Sequence, residues 1–320
     1  MCCAMERAAL AIRTLSYKFS DLLSHYLIFN PVAGKIHRNP QLIPAALETL
    51  RAHYVSVEAL PTTGRGSARA LARECVLSGA KTVFVAGGDG TINEVVNGLA
   101  WSETALGVLP GGTANCLAVE LGIGTNMLAA ARQSGTWQPQ RIPLGLCRPH
   151  QGEARYFVAM AGAGVDAQIV RDVDLKLKRK LGKAAYWIAG LAASFRVLPE
   201  LMVKTSHGES RVSFALASRV RNYGGDLEIA KSISLTDAHF ETVLFEGRFA
   251  VRYLKYLAGV LTNQHRGMSG VHVHHVDRLE LRAVNGAPIY MQVDGEECGE
   301  LPAELEIAAS ALTILMPVKP

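Results

Sequence analysis

The chain has 320 residues, 49% of them hydrophobic and 19% charged, with a net charge of +5 and a pI near 8.9. That length favours two domains over a single core, and the composition excludes a disordered chain. The mildly basic balance suits an anionic nucleotide or a membrane surface and falls short of a nucleic-acid footprint.

Residues 1 to 24 form an extension in which Ile12, Leu15, Phe19 and Leu22 recur at helical spacing. A helix docked on the protein, a poorly ordered extension and a membrane-attached helix are all compatible with it. Glu6, Arg7, Arg13, Lys18 and Asp21 break the apolar centre that a signal peptide needs, and no apolar stretch reaches the ~20 residues of a membrane span. Six cysteines without C-x-x-C spacing point to neither a zinc site nor a disulfide framework. A cytoplasmic protein is expected.

From Tyr26 the pattern alternates between strand and helix. Tyr26 to Asn30, Val55 to Leu60, Thr82 to Ala86 and Leu106 to Leu109 are short apolar runs, and Ser67 to Leu77 and Ile92 to Leu99 are helical. This alternation predicts a doubly wound, Rossmann-like α/β domain over residues 25 to 138 with a parallel sheet. Ligands of such sheets sit beyond the carboxyl ends of the strands, here at four turns rich in glycine or threonine. After about Gln138 the segments become shorter and alternate: Arg155 to Met160, Arg211 to Ala217, Val271 to Leu281, Ile289 to Val293 and Leu312 to Met316. A β-rich second domain over 139 to 320 follows, and its C-terminal tail has room to pack back on the first.

The run Gly87-Gly88-Asp89-Gly90-Thr91 joins a strand to a helix. Glycine permits close backbone approach, and the helix start offers unpaired N–H groups and a positive dipole end, which suits anionic oxygens. An aspartate in a phosphate cradle implies Mg²⁺ or a role in handling an acceptor's proton. Taken alone, the run is equally a structural turn with Asp89 capping a helix. The next strand ends in the same device, Pro110-Gly111-Gly112-Thr113-Ala114-Asn115. The first ends in Asn30-Pro31-Val32-Ala33-Gly34-Lys35, which lacks Walker spacing, and the second in Pro61-Thr62-Thr63-Gly64-Arg65-Gly66-Ser67.

With N-P-V-A-G at 30 to 34, G-G-D-G-T-I-N-E at 87 to 94, P-G-G-T-A-N at 110 to 115 and V-D-G-E at 293 to 296, the chain from about Tyr26 onward resembles the diacylglycerol kinase catalytic-domain family. The resemblance implies a first domain that binds ATP with Mg²⁺, a second that is a β-sandwich with a lipid site, and a cleft between them. It makes Asn30, Pro31, Gly34, Thr62, Gly87, Gly88, Gly90, Thr91, Glu94, Gly111, Gly112, Thr113 and Asn115 the nucleotide-binding positions. Asp89 belongs to the acidic network and is the metal position, Glu296 matches the general base, and Asp294 orients it or helps hold metal. By itself Asp294-Gly295-Glu296 reads as a type I′ hairpin turn.

Several positions depart from the family pattern. Cys116 stands where many bacterial members are acidic, Gly66-Ser67-Ala68 lacks the family's histidine, and Gly224-Gly225-Asp226 with Asp237-Ala238 alters a region that holds a structural Mg²⁺ in some relatives. That ion is not expected here. Gly162 to Ala167 is expected at the cleft by resemblance and as a strand-end turn by itself. The basic run 176 to 183 lies against anionic headgroups or forms a solvated helix leading into a core helix. His272, His274 and His275 fall in a strand, where a half-exposed face is expected over a metal pair.

The expected function is an ATP- and Mg²⁺-dependent lipid kinase acting on diacylglycerol or a similar lipid alcohol. It associates transiently with the inner membrane surface, needs no nucleic acid, and is compatible with a homodimer. A soluble-substrate kinase of the NAD kinase or phosphofructokinase type and a non-catalytic lipid-binding protein are the alternatives.

Overall fold

The computed structural model describes residues 24–165, 167, 198–223, 227–249, 251–284, 286 and 288–318. The expectations for 1–23, for the basic run at 176–183 and for the glycine turn at 224–226 lie outside these residues.

Strands β1 (His25–Phe29), β2 (Val57–Pro61), β3 (Thr82–Gly87) and β4 (Ala105–Pro110) pair in parallel in the order β2-β1-β3-β4. Every residue of β3 and β4 is buried, as continuous apolar runs in a sheet covered on both faces must be. The covering helices are α1 (Gly34–Arg38), α2 (Leu42–Arg51), α3 (Ser67–Leu77), α4 (Asp89–Leu99), α5 (Cys116–Glu120) and α6 (Met127–Gln133). On α2 the buried residues Ile43, Ala46 and Leu50 recur at helical spacing. Strand β2 begins two residues later than its apolar run, because Ser56 turns with φ of 61° and Val55 is left 80% exposed.

The second half carries β5 (Gln138–Pro149), β6 (Arg155–Phe157), β7 (Met160–Gly164), β8 (Leu201–Thr205), β9 (Gly208–Val212) and β10 (Phe214–Ser218). The short ladder β11 (Asn222–Tyr223) and β12 (Leu227–Glu228) precedes β13 (Phe240–Phe245) and helix α7 (Val251–Leu261). Then come β14 (Val271–Val276), β15 (Arg278–Ala283), β16 (Tyr290–Val293), β17 (Glu296–Glu300) and β18 (Ala303–Met316). One antiparallel sheet runs β14-β13-β10-β7-β16-β17, β11 and β12 pair only with each other, and the other strands extend the parallel sheet through β18. Between the two sheets lies an apolar core that includes Phe157, Val203, Phe240, Leu281 and Met291. Phe157 stacks on Phe240 with ring centroids 5.6 Å apart.

Three expected strands are built differently from their patterns. Arg155 to Met160 breaks after Phe157, and the chain crosses from β6 in one sheet to β7 in the other. Val271 to Leu281 breaks at Asp277 for the same reason, with β14 and β15 in opposite sheets. Apolar residues lie on both sides of each break, and apolarity reports that a side chain is buried, not which sheet its strand joins. Leu312 to Met316 is the end of a longer strand, bulged between Ala308 and Leu312 where Ser310 has φ of 51°. Its last residues pair with β4, so the tail does pack on the first domain.

Candidate active site

The glycine turns after β3 and β4 lie back to back. The Gly111 N–H donates to the Gly87 carbonyl oxygen at 2.9 Å, and a Cβ on Gly112 would stand 2.5 Å from Gly88 Cα. Only bare backbone fits between them. Asn115, in the left-handed region with φ of 52°, holds its turn closed: its Oδ1 accepts from the Gly112 N–H at 2.8 Å and its Nδ2 donates to the Gly112 carbonyl at 3.0 Å. Asn30 Nδ2 donates to Thr91 Oγ1 at 3.1 Å and ties the loop after β1 to the start of α4. The Thr62 N–H donates to the Phe29 carbonyl at 2.8 Å, and Lys35 N–H to that of Gly111 at 3.2 Å. Pro31 is exposed in the first loop, and a Cβ on Gly34 would lie 4.0 Å from Thr113 Oγ1. Four turns thus meet at the carboxyl edge of one parallel sheet.

Asp89 does cap a helix, but the next one. Its carboxylate accepts the N–H groups of Cys116 at 2.8 Å and Asn115 at 3.0 Å, at the start of α5. Burial pushes its pKa above the usual aspartate value, opposed by those two N–H groups and reinforced by the charge of Asp294. Glu94 is placed differently from the expectation of a nucleotide contact. Its two oxygens accept the N–H groups of Gly66 at 2.8 Å and Ala68 at 3.1 Å, so it caps α3 and anchors the loop that follows Thr62.

Asp294 and Gly295, with φ of 48° and 82°, form the turn between β16 and β17, as Asp-Gly favours. Asp294 neither contacts Glu296 by any hydrogen bond shown nor keeps an oxygen for metal. Its Oδ1 accepts from Ala159 at 2.9 Å and Met160 at 3.0 Å, its Oδ2 from Val158 at 3.0 Å and Asn93 Nδ2 at 2.8 Å. Four donors fill its lone pairs, and burial raises its pKa against them. The same bonds supply the break between β6 and β7.

From Asp294 a chain of side chains leads to Glu296. Asn93 Oδ1 accepts from Arg155 Nε at 2.7 Å, and Arg155 donates its other end to Glu296 Oε2 at 2.8 Å. Glu296 Oε1 lies against Gly90, where any Cβ would collide with it. A carboxylate therefore stands on the first turn of α4, where the helix dipole favours it, beside Asp89. Asn97 completes the joint by exchanging two 2.9 Å hydrogen bonds with the Tyr156 backbone. Around Glu296 and Arg155 opens a cleft of about 280 Å³, lined also by Arg65, Gln151 and the ion pair of Arg69 Nη1 with Glu153 Oε2 at 3.0 Å.

Arg155 carries no motif in the sequence. Asn93 lies inside the glycine-turn motif, and its spacing from Asn97 puts both on one helix face. Gly162 and Ala163 are buried inside β7, paired on both sides, and do not line the cleft. Among the described residues no group of three or more His, Cys, Asp or Glu side chains is arranged to hold a metal. His272 Nε2 sits 2.8 Å from Glu246 Oε1, while the His274 ring stacks on His207 at 4.7 Å. Near Asp237, the buried Arg219 guanidinium donates to the carbonyl oxygens of Leu235 at 2.6 Å and Asp237 at 3.1 Å.

Residues 24–147 match the diacylglycerol kinase catalytic domain, and residues 159–316 match the YegS C-terminal NAD kinase beta sandwich-like domain. A diacylglycerol kinase of Bacillus subtilis is 27% identical over 299 residues, covering 91% of this chain and 95% of that protein. A Chromohalobacter salexigens protein named "Probable lipid kinase YegS-like" is 30% identical over 281 residues, covering 85% and 86%. The crystal structure of a diacylglycerol kinase from Bacillus anthracis shares the fold with a TM-score of 0.74 at 20% identity, covering 92% of this chain and 96% of that one. The chain belongs to the diacylglycerol kinase catalytic-domain family. It is a lipid kinase, built as a parallel α/β domain joined to an antiparallel β-sandwich.

Proposed function

We propose that this chain transfers the γ-phosphoryl group of ATP, with Mg²⁺, to the hydroxyl of diacylglycerol or a similar lipid alcohol, with Glu296 as general base. The observation that carries this reading is the Glu296 carboxylate, held by Arg155 against the first turn of α4 beside the two glycine turns. Those turns suit phosphate oxygens, since backbone N–H groups and a helix start converge where no Cβ fits.

The donor set suits Mg²⁺ in one respect. Asp89 spends one hydrogen bond on each oxygen and keeps lone pairs, and Mg²⁺ is commonly held by one or two carboxylates together with substrate phosphates. Bound there, the ion would neutralise charge developing on the phosphates. Because Arg155 occupies Oε2 of Glu296, Oε1 is the atom that would accept the acceptor's proton. The Asp294–Asn93–Arg155 chain fixes that carboxylate, so most of the catalysis is positioning.

Association with an anionic membrane surface is supported by α7 and by Phe249, two residues ahead of it. Phe249 is 65% exposed and Leu261 61%, with Arg252 and Lys255 exposed between them. No helix among the described residues is long and apolar enough to cross a membrane.

Purified protein, radiolabelled ATP and a panel of lipid alcohols in mixed micelles test the reading against Glu296→Gln. The parent should label a lipid, and the variant should fall by about 10²- to 10⁴-fold. No labelled lipid, or equal labelling by the two proteins, would overturn it. Replacing neutral vesicles by anionic ones should raise labelling; an equal rate in both discards the membrane part.

A further inference from the structure

Two thiols meet beside the proposed base. Cys147 on β5 and Cys298 on β17 are both buried in the same apolar cluster, on two strands that pack against each other, and each thiol is the first influence on the other's pKa. Cys298 lies two residues after Glu296 on the same strand, hence on the same face, and both line the same cleft. Arg155 links the two features. It is the cross-strand neighbour of Cys147 in the β5–β6 ladder, and its guanidinium bonds Glu296. Phosphoryl transfer uses neither sulfur. A single buried cysteine is ordinarily a small apolar side chain, but two buried close together, one of them lining a cleft, form a dithiol within reach of a small oxidant.

We propose that Cys147 and Cys298 are an oxidisable pair, and that closing a disulfide between β5 and β17 displaces Glu296 and switches the enzyme off. Closing the pair to the ~2.05 Å of an S–S bond draws β17 toward β5. Glu296, Arg155 and Gly90 fit too closely to absorb that movement.

With hydrogen peroxide as oxidant the chemistry balances. The Cys298 sulfur attacks the peroxide, the O–O bond breaks, and one water leaves with a sulfenic acid on Cys298. The Cys147 sulfur then attacks the Cys298 sulfur, the S–O bond breaks, and a second water carries off the remaining thiol proton. The order follows from the surroundings. The neighbouring Cys147 thiol and the Arg155 charge hold the Cys298 thiol below its ordinary pKa, whereas the Cys298 thiol and burial hold that of Cys147 up.

The effect on activity rests on the lipid-kinase reading; the dithiol does not. Purified chain is treated with hydrogen peroxide, quenched, and divided between peptide mapping by mass spectrometry and the lipid-labelling assay. Cys147→Ala, Cys298→Ser and Cys75→Ala are run in parallel. The parent should yield a linked Cys147–Cys298 peptide, lose labelling by about a hundredfold and recover it with dithiothreitol. Cys75→Ala, remote from the cleft, should behave as the parent. Cys298→Ser should form no link and lose no labelling on treatment relative to its own untreated sample, and Cys147→Ala should form no link, which serves if the first variant folds poorly. Absence of the linked peptide overturns the proposal, as does a linked peptide with unchanged labelling, or equal loss in Cys298→Ser. A linked peptide in a chain that labels no lipid upholds the pair and discards the kinase reading and the switch together.

Discussion

Gly90 is where the two halves of the site touch. It sits in the first turn of α4 without a left-handed φ, so alanine suits its backbone as well as glycine does, yet an added Cβ would occupy the place of Glu296 Oε1. Gly90→Ala should therefore leave thermal unfolding nearly unchanged while labelling falls about a hundredfold. A variant with parental labelling would show that Glu296 is not held here during the reaction. His265 supplies a pH dependence. It is buried, and its Nε2 lies 2.9 Å from the Ile229 carbonyl. Burial, with the charges of Arg266 and Lys231, lowers its pKa. A histidine depressed in the folded state contributes stability above its unfolded value of about 6.5 and loses it as pH falls through the folded value. Melting temperature should drop on acidification through that window, and His265→Gln should flatten the curve; parallel curves for the two proteins would rule the residue out.

Helix α4 shows what one element does when each turn faces a different neighbour. Asp89 reaches α5, Gly90 receives Glu296, Asn93 bonds Asp294 and Arg155, Glu94 caps α3, and Asn97 holds Tyr156. The glycine motif revealed that this helix begins at a tight strand-to-helix turn, since that follows from local backbone chemistry. It could not reveal Glu94 as a cap, because the capped helix is set by how α3 and α4 pack. Glu94→Ala should cost about 1 kcal/mol, as a lost N-cap does, read from the urea midpoint. An unchanged midpoint would mean that water satisfies the start of α3 equally well.

At the scale of the whole molecule, β18 makes one structure of two domains. It pairs in parallel with β4 and antiparallel with β5 and β15, so the parallel sheet continues into the sandwich. Removing residues 303–320 would expose three strand edges and the apolar faces they share, and such edges aggregate. The shortened chain should not yield soluble protein with a cooperative melt by circular dichroism. A soluble product that melts cooperatively would show that the tail is dispensable.

The alternation of buried runs and helices, the four turns at one sheet edge and the identity of the glycine and acidic residues are all local properties. Spacing and residue chemistry therefore determined them, down to the bounds of α3 at Ser67 and Leu77. The tertiary structure decided which partner each acidic group meets. Asp294 is spent on the backbone of β7 and its approach, Glu94 on α3, and Glu296 is gripped by Arg155 from a strand that carries no motif. A hydrogen bond between residues far apart in sequence depends on which sheet each strand joins. Alternating polarity reports that a face is buried, never against what.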